Sequence, residues 1–265
     1  MTTEKYLCVI SDDFGMHPAI NDGIAQAFVE GLLTDSSLMA PCPAFAGAVA
    51  LAQAHHIPVG LHATFTCDWD RYHWRPLTRA PSLVTPEGWL KPLVDEAWAH
   101  ADEAEGLNEL RAQHRAITDA GLAVTHLGEH MGVDEGGKCE WVLSAFAREA
   151  NLPHKGDWAR YPAGLPHYRF DSIFSTSAYS ISLTKTRAWL RSMIFALRPG
   201  YHLWLAHAAV DHPSLDEICS PDFQTVHWAR AFRTIDQALL LDLEVKDWLE
   251  RMGIQRVPLM DVPRI

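Results

Sequence analysis

The residues best suited to chemistry in this chain are carboxylates and imidazoles: Asp12 beside Asp13, then His62, then His126, Glu129 and His130, then His207 with Asp211 and His212. Neutral imidazoles with one carboxylate form a site for a catalytic divalent ion that keeps open positions for water. A second carboxylate beside the ligands can take a water's proton as general base, and a separate protonated histidine can give one to a leaving group. Together these residue types suit metal-assisted hydrolysis of an amide or an ester. Each also has a simpler use: adjacent acids before a helix serve as N-cap and dipole partner, and a histidine at a strand end is commonly a hydrogen-bonded, half-buried residue. The aspartate pair lies several residues ahead of Pro18, so capping accounts for at most one of them. Asp13-Phe14-Gly15 also matches the magnesium motif of protein kinases, but no glycine-rich loop or H-R-D segment accompanies it.

The elements that must position these groups alternate. Tyr6 to Ile10 reads as a short buried strand, and Pro18 opens a helix with Ile20, Ile24, Ala27 and Phe28 on one face and Gly31 at its end. Apolar runs at 37–40 and 59–64 are the next strands, with an alanine-rich helix from Phe45 to Ala54 between them. Helices at 108–120, 141–150 and 183–197, strands at 122–127 and 201–207, and one long helix from about Phe223 to Met252 continue the pattern. A weak final strand falls at 255–259, with Pro258 inside it. Strand–helix alternation is the mark of a parallel sheet with helices outside, where active sites gather at the C-terminal ends of the strands. All the carboxylates and imidazoles above lie at or just after such ends. Two long stretches, 66–105 and 156–180, break the alternation and read as functional loops at that rim.

Composition narrows the choice. With 22 Lys plus Arg against 33 Asp plus Glu in 265 residues, the net charge is −11, which disfavours nucleic acid and anionic membrane and favours cations and uncharged polar ligands. No apolar run approaches the roughly 20 residues a membrane helix needs. The opening segment lacks a basic region followed by an apolar one, and the 5 cysteines are scattered without a C-x-x-C pair, so reduced thiols and a cytoplasmic location are expected. No linker divides the chain; one domain over 1–265 is expected, and the oligomeric state stays open, a homodimer being one option.

The motifs resemble those of a known family. S-D-D-F-G at 11–15, N-x-G-I at 21–24 and G-L-L-T-x-x-S-L-M at 31–39 resemble the opening of the YdjC-like carbohydrate deacetylases, a family that includes the chitooligosaccharide and hopanoid-biosynthesis deacetylases. V-G-L-H at 59–62 is similar to the second family motif, T-H-L-G-E-H at 125–130 to the third, and the strand ending at His207 to the fourth. The resemblance implies a distorted (β/α) TIM-like barrel with long loops at its C-terminal rim. It also implies Asp13, His62 and His130 as ligands of one divalent metal ion, zinc or magnesium, Asp12 as general base, and His207 as acid or transition-state hydrogen-bond donor. The implied substrate is a small molecule, an N-acetylated saccharide or a related amide.

The chain departs from the family at Gly128-Glu129, where the family has Asp-Ser, at Gly132 and Asp134, and at Ala208-Ala209, where it has Pro-Gly. Glu129 is therefore a candidate for orienting a ligand or contacting substrate. Trp69, Tyr72, Trp74 and Trp158 offer flat faces for a sugar, or pack the loops onto the barrel; Arg71 and Arg75 can meet a substrate anion or remain solvated. Two other activities remain open: hydrolysis of a different ester or amide by the same metal site, and a carbohydrate-binding homologue that has lost catalysis.

Overall fold

A computed structural model describes residues 2–69, 71–132, 137–156, 165–177, 179–218 and 228–265. At its centre lies β1 (Lys5–Phe14), whose Leu7-Cys8-Val9-Ile10 run is buried on both faces, as a strand with parallel neighbours on each side requires. On one side of it follow β2 (Asp35–Leu38), β3 (Val59–Ala63) and β4 (Val124–Glu129). On the other follow β6 (Gly200–Ala206) and then β5 (Ser172–Ser175), so the order is β4-β3-β2-β1-β6-β5. A short β7 (Ile254–Arg256) also pairs with β1, and every one of these pairings is parallel. The sheet bends toward closure. Single bridges run from Leu127 to His154 and from His154 to His167, and the chain then passes from Tyr168 into β5 at the opposite edge. This is the distorted (β/α) barrel expected, although its ladder is not continuous among the described residues.

The helices are α1 (Pro18–Val29), α2 (Phe45–His55), α3 (Val94–Ala99), α4 (Glu103–Asp119), α5 (Lys138–Ala150), α6 (Leu183–Ala196), α7 (Trp228–Leu240) and α8 (Leu243–Arg251). Among the described residues none is long and apolar enough to cross a membrane. α1 starts at Pro18 because the preceding His17 is extended and its Nδ1 accepts from Ala19 N at 3.1 Å. Inside the N-x-G-I motif, Asn21 ties the adjoining loops: its Oδ1 accepts from Gly15 N at 2.8 Å and its Nδ2 donates to Ala44 O at 2.9 Å. Gly23 packs on backbone after β6; a Cβ there would lie 2.6 Å from Ala209 Cα. The small residues at 208–209 thus complement a glycine on α1.

Two elements differ from the sequence reading. The long helix from about Phe223 to Met252 is divided into α7 and α8, since Asp242 leaves the helix and accepts from Glu244 N at 2.9 Å as a new N-cap. Its first residues, through 227, lie outside the described residues. Inside the stretch read as a loop, Ser172–Ser175 forms β5; four residues at a sheet edge are too few to show periodicity.

The feature of β1 that matters most for function is at its C-terminal end. The register runs Ser11 to Ser36 and then Phe14 to Leu38, so β1 carries one more residue than β2 over this step. That residue is absorbed by a bulge in which Asp13 takes the left-handed region, φ 68°, a conformation aspartate tolerates better than bulky side chains do.

At the head of β2, fully buried Asp35 accepts from Leu259 N at 2.9 Å through Oδ2, while its Oδ1 has no hydrogen-bond partner among the described residues. Burial pushes this carboxyl up from 3.8 to about 6. Because the folded-state value is the higher one, its stabilising contribution is complete below 3.8 and is lost as pH rises through about 6. Asp35→Asn is expected to raise Tm at pH 8 by roughly 5 °C and to give no gain at pH 4. Thermal unfolding at both pH values checks this, and an equal shift at the two would refute the assignment.

Candidate active site and metal centre

The bulge turns both aspartates toward a cavity of about 360 Å³ at the C-terminal ends of the strands. Asp12, Asp13, His62, His130 and His207 all line it. His62 comes from β3, His130 follows β4 and His207 follows β6, so four strands of the sheet deliver one cluster.

Asp13 Oδ1 lies 3.3 Å from His62 Nε2 and 3.2 Å from His130 Nδ1. All three residues are buried, and their ligand-type atoms lie within 4.8 Å of one another. Among the described residues, Asp13 Oδ1 is buried with no partner at hydrogen-bond geometry, the mark of an atom that needs a positive partner. His130 is turned by Asp68, whose Oδ1 sits 2.8 Å from Nε2, so Nδ1 carries the lone pair toward Asp13 when the ring is neutral. Burial works against charge on His130, but Asp68 and Asp13 outweigh it and raise this imidazole to about 10. The negative potential that holds a proton there is equally able to hold a cation. Donor types, convergence and the orphaned oxygen therefore fit a divalent metal bound by Asp13, His62 and His130.

The remaining oxygen of Asp13 is occupied. Arg233 Nη2, on α7, donates to Oδ2 at 2.7 Å, and the guanidinium is 2% exposed. Burial would raise Asp13; Arg233 and the nearby imidazoles overcome it and hold the carboxyl well below its ordinary range. Asp12 has its own cation: Lys155 Nζ donates to Oδ1. Here too burial is outweighed, by Lys155 and the nearby imidazoles, and Asp12 stays below the usual carboxylate range.

His207 presents Nε2 toward Asp13 Oδ2 at 3.9 Å. Behind it, Ser177 Oγ lies 2.6 Å from His207 Nδ1 and donates at 2.6 Å to Asp236 Oδ2, which also accepts from His207 N at 2.8 Å. Since the serine proton goes to the carboxylate, Nδ1–H of His207 donates to Ser177 and Nε2 is left to accept. Burial and then the Arg233 charge push His207 down to about 4, so the ring is neutral in the ligand-free protein. Burial raises Asp236 to about 6.

Of the other residues singled out from the sequence, Trp69 and Glu129 line the cavity, where Glu129 Oε2 lies 2.6 Å from His154 Nε2. Trp74 is buried, stands 6.2 Å from the His130 ring and donates to Thr66 O at 3.0 Å. Half-buried Tyr72 donates to Met16 O at 2.9 Å. Arg71 is exposed and is not among the cavity's lining residues; Arg75 donates to Glu87 O and stacks on Trp89 at 3.9 Å. Asp211 pairs with Arg230 on the surface, and His212 caps a short helical turn by accepting from Ser214 N. His126 points away from the cavity, into the barrel interior, toward Ser37. Trp158 and Asp134 lie outside the described residues.

Sequence reasoning did not find Asp68, Lys155, Ser177, Arg233 or Asp236. Each stands in a loop or on a helix surface with no motif around it. The one usable signal was Gly128 in place of a larger residue, because a side chain there would collide with Lys155.

Residues 6–251 match the family model described as YdjC-like protein. The chain belongs to this family. A carbohydrate deacetylase of Geobacillus stearothermophilus is 34% identical over 184 residues, covering 69% of this chain and 71% of that protein. A chitooligosaccharide deacetylase of Yersinia enterocolitica is 33% identical over 162 residues, covering 58% of this chain and 60% of its own length. Among solved structures, an Enterococcus faecalis protein provisionally named for cellobiose-phosphate cleavage superposes with a TM-score of 0.76 over 96% of this chain and 97% of that one, at 22% identity. That likeness establishes the fold.

Asp68→Asn is expected to weaken binding of zinc roughly 10- to 100-fold, as loss of a carboxylate behind a ligating histidine does. His62→Ala should leave the purified protein depleted of metal. Titration with zinc and elemental analysis check both, and wild-type stoichiometry in His62→Ala would remove that residue from the ligand set.

Proposed function

We propose that this YdjC-like chain is a metal-dependent hydrolase that removes the acetyl group from an N-acetylated saccharide. One observation carries the reading: Asp13 Oδ1, His62 Nε2 and His130 Nδ1 converge on one point of a cavity that Asp12 and His207 also line. The deacetylase names of the relatives supply the bond and the substrate class.

Asp13, His62 and His130 would hold a divalent ion, which would supply polarisation of the acyl oxygen and a more acidic water. Mixed imidazole and carboxylate ligation favours zinc or another transition metal over magnesium. Asp12, kept ionised by Lys155, takes a proton from the attacking water. As the acyl carbon gains a C–O bond and loses its C–N bond, the departing nitrogen needs a proton. His207 supplies it from Nε2, once the proton that Asp12 took from the water has passed to that atom across the cavity both residues line. Ser177 and Asp236 fix the ring through Nδ1 and place a carboxylate behind the imidazolium that forms. The products are acetate and the free amine. Arg233 holds Asp13 through Oδ2, which leaves Oδ1 for the metal.

Of the loop residues, Trp69 and Glu129 are the sugar contacts in this reading, because they line the cavity. Trp69 offers an apolar face, and the Glu129 carboxylate an acceptor for a sugar hydroxyl. Trp74 and Tyr72 support the site from outside by packing against His130 and holding Met16.

Acetate release from N-acetylglucosamine oligomers tests the activity directly. Asp12→Asn is expected to lower turnover by roughly two to four orders of magnitude while retaining its metal. Undiminished turnover in that variant would sink the base assignment, and release from O-acetylated sugars alone would move the activity to ester hydrolysis.

A further inference from the structure

The interior of the barrel, beneath the cavity, contains a buried polar chain that the reaction above does not use. Its directions can be assigned from one end. Thr125 Oγ1 donates to Val59 O at 3.1 Å, so it must accept from His126 Nδ1, 2.9 Å away. A ring that donates from Nδ1 and is neutral accepts at Nε2, and Ser37 Oγ lies 2.9 Å from that atom. Burial, followed by the Lys155 charge, holds His126 well below its ordinary value and therefore neutral. Ser37 thus gives its proton to His126 and accepts from Lys155 Nζ at 2.9 Å. Lys155 completes the series by donating to Asp12 Oδ1. Every donor points the same way from Asp12's partner inward, and Ser37, His126 and Lys155 are all buried.

Two glycines make room for this chain. A Cβ on Gly60 would lie 2.3 Å from the His126 ring, and one on Gly128 would lie 2.4 Å from Lys155 Cε. Backbone pairing sets the approach: Lys155 N donates to Leu127 O and Leu127 N to Pro153 O, which lays residues 153–155 along β4 beside Gly128. The departure from the family pattern at 128 is therefore the space through which Lys155 reaches Asp12. Among the described residues no donor reaches Asp12 Oδ2, while Asp12 lines the cavity.

We propose that Lys155 is the positioning residue of Asp12: anchored through Ser37 to His126 and admitted by Gly128, it holds Oδ1 so that Oδ2 faces the substrate. The proposal rests on the reading of Asp12 as the base. A lysine that only filled space could be replaced by methionine of similar length without a catalytic effect. A lysine that aims the base cannot, because misplacing a reacting group by about 1 Å costs on the order of 100-fold in rate.

The test compares kcat, KM, metal content and Tm for Lys155→Met, Ser37→Ala and Gly128→Ala, with N-acetylglucosamine oligomers and the zinc-loaded protein. Lys155→Met is expected to lower kcat roughly 100-fold with KM and zinc stoichiometry unchanged. Ser37→Ala, which cuts the anchor but keeps the ion pair, should lower kcat about 5-fold. Gly128→Ala should lower kcat in the wild-type background and have no further effect beside Lys155→Met, since both act on one contact. Lys155→Met should likewise add nothing to Asp12→Asn. Near wild-type kcat in Lys155→Met, or additive losses in either pair, overturns the positioning role. If Lys155→Met does not fold, Ser37→Ala and Gly128→Ala decide the question by the same criteria. An active Asp12→Asn overturns the base reading and this proposal with it; an inactive Asp12→Asn beside an active Lys155→Met overturns only the latter. A crystal structure of Lys155→Met or Gly128→Ala with the Asp12 carboxylate unmoved also overturns it, independent of any substrate.

Discussion

Two adjacent carboxylates at the end of a regular strand point to opposite faces, and this site needs both on one side. The bulge between Ser11 and Phe14 removes that constraint, with Asp13 in the left-handed region absorbing the extra residue. The surrounding contacts then hold it. Met16 N donates to Asp13 O, Met39 N to Phe14 O, and Asn21 receives Gly15 N, so the backbone leaving the bulge is pinned to α1 and to the turn after β2. Had the strand remained regular, one aspartate would face the core, where an unpaired charge is prohibitively costly.

Concentrating acids in a buried place requires separate compensation for each of them. Asp12 is met by Lys155, Asp13 by Arg233 and Asp68 by His130. The partners come from unrelated parts of the chain: Lys155 from the segment beside β4, Arg233 from α7, His130 from the end of β4. This assignment of one partner to each carboxylate divides their tasks. Arg233 occupies the oxygen of Asp13 that is turned from His62 and His130, and Lys155 occupies one oxygen of Asp12, so each acid keeps its other oxygen for the cavity. Glu129 fits the same pattern from the rim, held to His154, whose Nδ1 accepts from Gly156 N and whose proton therefore sits on Nε2 toward the carboxylate.

Much of the fold was legible because buried parallel strands and amphipathic helices write themselves as local patterns. Leu7–Ile10, Val59–Ala63 and the helix opening at Pro18 are examples. β5 was not, since four residues at an edge carry too little period, and the division between α7 and α8 was hidden by the mostly apolar run of residue types from Leu239 to Val245 along the sequence. Among the candidate site residues, Asp12, Asp13, His62, His130 and His207 were legible because each lies in the last residues of a strand or just after it, a position the order of elements reveals. Asp68, Ser177, Arg233 and Asp236 were not, because a side chain's partner across the fold leaves no trace in its own neighbours along the chain.

The sequence by itself determined the alternation of strands and helices, the carboxylates and imidazoles at the strand ends, and the motifs shared with the family. These are matters of residue type and local spacing, which short-range sterics and hydrophobic periodicity translate directly into structure. Tertiary structure alone decided which oxygen of each aspartate is available, which histidines face the cavity and which, like His126, face the interior, and why position 128 is glycine. Such outcomes depend on charges and volumes brought together from distant segments, where burial makes each unpaired group costly enough to select its partner.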